Sequence, residues 1–154
     1  MIGQLSQEHW EIGETAGGLR RAIVQGRYGA AATMLDELLA RLLPHTATEE
    51  NGLFAELRAE GSLAEEVERL CAEHDDIHAV LGGIDRADPD WPAVLEALGK
   101  LREHIDHEEH GLFPSSIIML PIAAWDRITP ERGVQGVGPA PDTAGPDEAS
   151  PPAA

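Results

Sequence analysis

Positive charge, aromatic rings and cysteine are all scarce in this 154-residue chain. Eleven Lys and Arg residues stand against 28 Asp and Glu, for a formal net charge of −17. So negative a chain is repelled by phosphate backbones and anionic lipid, which argues against nucleic acid and membrane surfaces as partners. The same charge suits a protein whose buried carboxylates are neutralised by bound cations. Only six residues are aromatic, yet 42% of the chain is hydrophobic, enough for a core built largely of Leu and Ala. With β-branched residues sparse before the last thirty, this composition predicts an all-α fold. Cys71, the single cysteine, excludes an internal disulfide and any multi-cysteine zinc site. No hydrophobic run is long enough to span a bilayer, and "MIGQLSQEHW" lacks the basic start and apolar core of a signal peptide. These absences point to a cytoplasmic location.

Proline and glycine are instead concentrated at one end. Residues 130–154 hold six of the eleven prolines and no aromatic residue. Such a stretch cannot bury enough apolar surface to offset the entropy of ordering it. The expectation is a single domain over residues 1–128, followed by a disordered Pro/Gly/Ala-rich tail over 129–154.

Within residues 1–128, turn signals separate four helical stretches. The first is expected from a cap at Ser6 to about Gln25, ending at "GRYG". The second runs from about Gly29 to Ala59, with Leu35, Leu38, Leu39, Leu42 and Leu43 at helical spacing. Pro44 lies inside it, where the missing N–H should kink the helix just before His45. "EGS" breaks this stretch, and Ser62 with Glu65 reads as a capping box for the third. The third carries Leu63, Val67, Leu70, Ile77, Val80, Leu81 and Ile84. "RADPDWP" forms a loop, Pro92 suits the first turn of the fourth helix, and "GLFP" ends it. A short fifth segment, "SSIIMLPIAAWDRI", is expected to fold back over one end.

One phrase occurs twice. "HTATEENGLF" at 45–54 and "HIDHEEHGLF" at 104–113 share His, three residues, Glu-Glu, one residue and Gly-Leu-Phe. His45 and Glu49, His74 and His78, and His104 and Glu108 are each four apart in a helix. Four residues rotate by roughly 400°, so each pair lies within about 40° of one face and one turn apart. Two such side chains can grip one metal ion or two adjacent ones. Their heights also coincide if neighbouring helices are antiparallel. The pairs 45–49 and 74–78 mirror about Gly61-Ser62, and 74–78 and 104–108 mirror about Trp91. His9 and His45 mirror about Arg27. Gly, Pro and Ser alone locate the turns, so the common layer is an independent result. Five imidazoles and two carboxylates are too many donors for one ion and suit two. Mixed nitrogen and oxygen ligation without thiolate suits iron or manganese, with zinc as a further option. His107 and His110 exceed what the layer needs and are expected on a solvated face.

The four motifs in this order resemble the haemerythrin-like (HHE) cation-binding family over about residues 6–114. The family pattern falls on His9, "HTATE" from His45 to Glu49, "HDDIH" from His74 to His78 and "HIDHE" from His104 to Glu108. The resemblance implies an up-down-up-down four-helix bundle around two non-haem iron ions, carboxylate-bridged and oxo- or hydroxo-bridged. It implies that one iron takes His74, His78 and His104 and the other His9 and His45, with Glu49 and Glu108 bridging. Glu109 matches the alternative family spacing. Rotation places Glu108 about 40° from His104 and Glu109 about 140° away, but a local helix distortion would present Glu109 instead.

The implied three-to-two split leaves the iron on His9 and His45 short of one protein ligand, and an open position is where a small molecule binds. The resemblance implies O2 there. Gly13 would leave room for it, with Leu5, Trp10 and Phe54 as candidates for a dry wall or as ordinary core. Cys71 reads as a small buried hydrophobe and Tyr28 as a loop residue. Asp75, Asp76 and Asp106 are candidates to orient imidazoles, or are simply solvated. Three functions follow in order: reversible O2 binding for storage, delivery or sensing; an enzyme consuming peroxide or NO on the same centre; and iron sensing through a separate protein partner.

Overall fold

The computed structural model describes residues 1–128, and the expected tail lies outside the described residues. The elements are α1 (Ile2–Val24), α2 (Tyr28–Asn51), α3 (Leu53–Glu60), α4 (Ala64–Gly82), α5 (Trp91–His107), a π-helical turn (Glu108–Leu112), α6 (Phe113–Met119) and α7 (Ile122–Ile128). There is no strand among the described residues. Together α2 and α3 form one rod, and α5, the π turn and α6 form another. With α1 and α4 they make an all-α, up-down-up-down four-helix bundle. No described helix is long and apolar enough to cross a membrane.

The helix ends follow local chemistry, with four departures from the sequence reading. Asp90 caps α5 by accepting from the Ala93 N–H at 3.0 Å, and Pro92 sits in its first turn, a cap that contributes about 1 kcal/mol. Gly61, at φ +77°, closes α3 in the left-handed conformation open to glycine. The first departure is that α1 begins at Ile2: the Leu5 N–H reaches the Met1 carbonyl at 3.0 Å, and Ser6 turns its hydroxyl to Glu109 instead of capping. Second, the stretch expected as one helix to Ala59 is interrupted at Gly52, with φ −108° and ψ −95°. Third, Ser62 and Glu65 form no capping box, since Leu63 stands at the start of α4 without a side-chain cap. Fourth, the fourth helix does not stop at "GLFP". It passes through the π turn into α6 and breaks at Leu120, whose extended backbone precedes Pro121. Tyr28 begins α2 and stacks on Trp91, ring centroids 5.8 Å apart.

Pro44 is accommodated inside α2, and the Pro44 carbonyl accepts from the Thr48 hydroxyl at 2.9 Å. Beyond the break, α7 folds back onto the end of the bundle. It buries Ala124 and Ile128, and Arg127 forks onto Glu56 at 3.0 and 2.7 Å.

The core is divided in two. One cluster contains Ile12, Leu42, Ile77 and Leu101; the other contains Leu5, Leu53, Leu70 and Leu112. Along α1 the order is Leu5, His9, Ile12, and along α4 it is Leu70, His74, Ile77. Along α2 and α5 the order of the clusters is reversed, as antiparallel neighbours require. The polar layer therefore lies between two apolar layers, sealed on both sides.

Candidate metal centre

Six ionisable side chains form that layer. His9 (α1), His45 and Glu49 (α2), His74 (α4), His104 (α5) and Glu108 (π turn) are each at most 4% exposed. Two groups of donor atoms converge within 4.8 Å: His9, His45 and Glu49, and His74, His104, Glu49 and Glu108. Each imidazole directs Nε2 inward. The contacts to Glu49 are 3.3 Å from His9, 3.0 Å from His45 and 3.2 Å from His74. His104 Nε2 touches Glu108.

None of these contacts is directed as an ordinary hydrogen bond. The buried side-chain nitrogen and oxygen atoms that lack a partner are the four Nε2 atoms and both oxygens of Glu49 and Glu108. Among the described residues there are no others. Leaving one buried donor or acceptor unpaired costs about 1–3 kcal/mol, and more for a charged group. Eight in one place, all aimed at each other, fit a site for cations: four imidazole nitrogens and four carboxylate oxygens.

The outer ring nitrogens are all held. His9 Nδ1 lies 2.6 Å from Glu109, His45 Nδ1 2.7 Å from Glu8, His74 Nδ1 2.9 Å from Glu50 and His104 Nδ1 2.7 Å from Glu73. An Nδ1–H donated to a carboxylate leaves the Nε2 lone pair facing inward, which is the tautomer a metal ligand needs. Sequence reading missed Glu8, Glu50 and Glu73, named Glu109 only as an alternative to Glu108, and considered Asp75, Asp76 and Asp106 for this role, which are exposed. The signal was present: each holding glutamate is the sequence neighbour of a donor, in Glu8-His9, Glu73-His74, Glu49-Glu50 and Glu108-Glu109.

The π turn settles how two adjacent glutamates serve different roles. The wider helical turn carries Glu108 inward, fully buried, while Glu109 crosses to His9 and also accepts from Ser6 at 2.9 Å. Glu109 thus meets the centre from outside.

His78 stands apart from both donor groups. It is half-buried, with Nε2 3.2 Å from the Thr46 hydroxyl and its ring parallel to His74 at 6.1 Å. Burial and the neighbouring His74 push its pKa down. His107 and His110 are exposed, and His110 pairs with Asp106 at 3.0 Å.

The other candidates separate by position. Leu5 and Phe54 are fully buried, and Phe54 lies parallel to the His74 ring at 5.7 Å. Trp10 is 63% exposed and does not line the cleft that reaches His9; one residue beyond inward-facing His9, it is rotated about 100° toward solvent. Gly13 borders a cleft of about 800 Å³ between α1 and α5, which reaches His9. A Cβ at Gly13 would meet nothing within 4 Å, so this glycine widens the cleft. Cys71 is partly exposed and accepts from Arg58 at 3.2 Å.

Burial alone would lower the His74 pKa, yet the facing carboxylates of Glu108, Glu49 and Glu50 outweigh it and hold it at about 10. The same opposition raises His9 and His45. For Glu49, burial favours the neutral acid, but the three imidazoles around it hold it well below the usual carboxylate range.

A helical bundle with a buried layer of imidazoles and carboxylates defines a class of metal-binding proteins. Residues 1–115 match the Hemerythrin HHE cation binding domain, and the chain belongs to that family. No curated protein and no solved structure matches the chain.

Proposed function

We propose that the chain holds two iron ions and binds a small oxygen-derived ligand, dioxygen first, at positions the protein leaves open. The observation that carries this is the set of eight unpartnered buried donors, with no thiolate among them. Imidazole nitrogen with carboxylate oxygen is a donor set suited to iron or manganese; zinc and manganese are the lesser alternatives. His9, His45, His74 and His104 would supply nitrogen ligands and Glu49 and Glu108 oxygen. When bound, the two ions supply reversible two-electron redox chemistry. The protein supplies a dry enclosure between two apolar layers, fixed tautomers, and a cleft reaching His9.

A second reading is an enzyme consuming peroxide or NO at the same centre. It is favoured by His78 standing outside the donor groups, which removes the three-to-two imbalance that would reserve one iron for the ligand. Iron-occupancy sensing through a separate protein, and a cytoplasmic location, complete the proposal.

The test is iron per chain with the visible spectrum, in air and after oxygen removal. Two irons and a colour that disappears and returns with O2 are expected. Two irons with a fixed spectrum and turnover of peroxide would replace dioxygen binding by the enzymatic reading. A chain purified and reconstituted without iron would end both.

A further inference from the structure

Gly13 and Gly17 lie inside α1 and Gly99 inside α5, where each costs its helix about 1 kcal/mol relative to alanine. A glycine inside a helix commonly lets a neighbouring helix approach closely, but these three do not serve that purpose. Among the described residues, a Cβ at Gly13 or Gly99 would meet nothing within 4 Å, and one at Gly17 only the Arg21 guanidinium at 3.5 Å. All three border the cleft of about 800 Å³ between α1 and α5. Their missing side chains keep it open. That volume falls in the range of roughly 300–1,000 Å³ typical of pockets that hold small molecules.

The floor of the cleft is apolar. Ile12, Leu98 and Leu101 line it, and each is at most 5% exposed. Ile12 and Arg20 both line the α1 wall, and their eight-residue separation makes that wall about 12 Å long.

The charged groups on the walls are left without partners. In a chain with 28 Asp and Glu, Arg41, Arg58, Arg69, Arg86, Lys100 and Arg127 each hold a carboxylate within 3.5 Å. Arg20 on α1 and Arg102 on α5 line the cleft from opposite walls, both exposed, and neither holds a carboxylate among the described residues. Asp106 is four residues beyond Arg102, at ion-pair spacing, yet it pairs with His110 at 3.0 Å. Two guanidinium forks beside an apolar floor complement a molecule with an anionic end and an apolar body. The charge of that end is limited by Glu103 and Asp106, which also line the cleft. A phosphate carries close to two charges at neutral pH and is repelled more by these acids than a singly charged carboxylate.

We infer that the cleft between α1 and α5 binds a monocarboxylate of the fatty-acid type. Arg20 and Arg102 hold the head group, and the chain lies over Ile12, Leu98 and Leu101. This site lies outside the metal layer and requires no metal. Because the cleft reaches His9, a bound chain also covers the approach to the centre from this side.

The test is calorimetric titration of the full-length chain with decanoate below its micelle concentration, with decanol and decyl phosphate as comparison probes. One decanoate per chain is expected, bound about tenfold or more tightly than either comparison. Arg20→Gln and Arg102→Gln should each weaken decanoate binding by about tenfold. Gly99→Leu fills open space and should remove binding while Tm stays the same or rises. Gly13→Leu takes its place if that variant does not fold. The inference is overturned if decanoate shows no saturable binding, or if decanol or decyl phosphate binds as tightly. Undiminished affinity in either arginine variant, or in a folded glycine variant, overturns it as well.

Discussion

Glu109 and His9, a hundred residues apart, meet with Oε1 2.6 Å from Nδ1. This contact ties the last helical rod to the first and orients a ring that faces the centre with its other nitrogen. Outer carboxylates of this kind typically change metal affinity by about 10–100-fold. Glu109→Gln and Glu73→Gln should each weaken iron retention within that range, read by chelator competition at fixed pH. Asp106→Asn, on an exposed residue of the same rod, should leave retention unchanged. Equal retention in all three variants would remove the orienting role from these glutamates.

Stability against pH should run in opposite directions for the metal-free and loaded chains. In the metal-free chain His9, His45 and His74 have pKa values raised above 6.5. Their contribution is complete below about pH 6.5 and is lost as pH rises toward the His74 value of about 10. Glu49 is depressed, so its contribution is present above its ordinary value of 4.5 and is lost as pH falls. His78, lowered, adds a cost as it protonates in acid. The metal-free chain should therefore melt highest near pH 5–6.5. Metal binding displaces those protons, so the gain in Tm on loading should grow from pH 6 to pH 9, with protons released on titration. A gain independent of pH would show that the imidazoles are not the ligands.

The two glycines of the repeated phrase should respond oppositely to alanine. A Cβ at Gly52 would stand 2.9 Å from the Thr48 carbonyl oxygen and 3.4 Å from Ile128, whereas a Cβ at Gly111 would meet nothing within 4 Å. Gly52→Ala should destabilise by about 1–3 kcal/mol, and Gly111→Ala should stabilise by about 0.5–1 kcal/mol through reduced unfolded-state entropy. Denaturant midpoints decide it. Similar shifts of one sign would mean the phrase's two glycines serve the same purpose.

The layer was legible because antiparallel helices convert spacing along the chain into height, and histidines are too few to match by accident. His9, His45, Glu49, His74, His104 and Glu108 could be placed at one level from turn positions alone. Single-helix geometry cannot say which neighbour meets a ring's outer nitrogen, and so Glu8, Glu50 and Glu73 were missed, and Glu109 was weighed only as a ligand, although all four adjoin donors in sequence. For the same reason Ser6 read as a cap, when its hydroxyl is taken by Glu109 from another rod.

Periodicity, turn chemistry and the repeated phrase by themselves determined an all-α bundle, its helix order and the common height of its donors. These depend on local backbone preference and on rise per residue, both of which are written in neighbouring residues. Only the tertiary structure decided that a π turn sends Glu108 inward and Glu109 to His9, and that His78 lies 3.2 Å from the Thr46 hydroxyl. Those outcomes depend on which side chains from different helices compete for the same few ångströms.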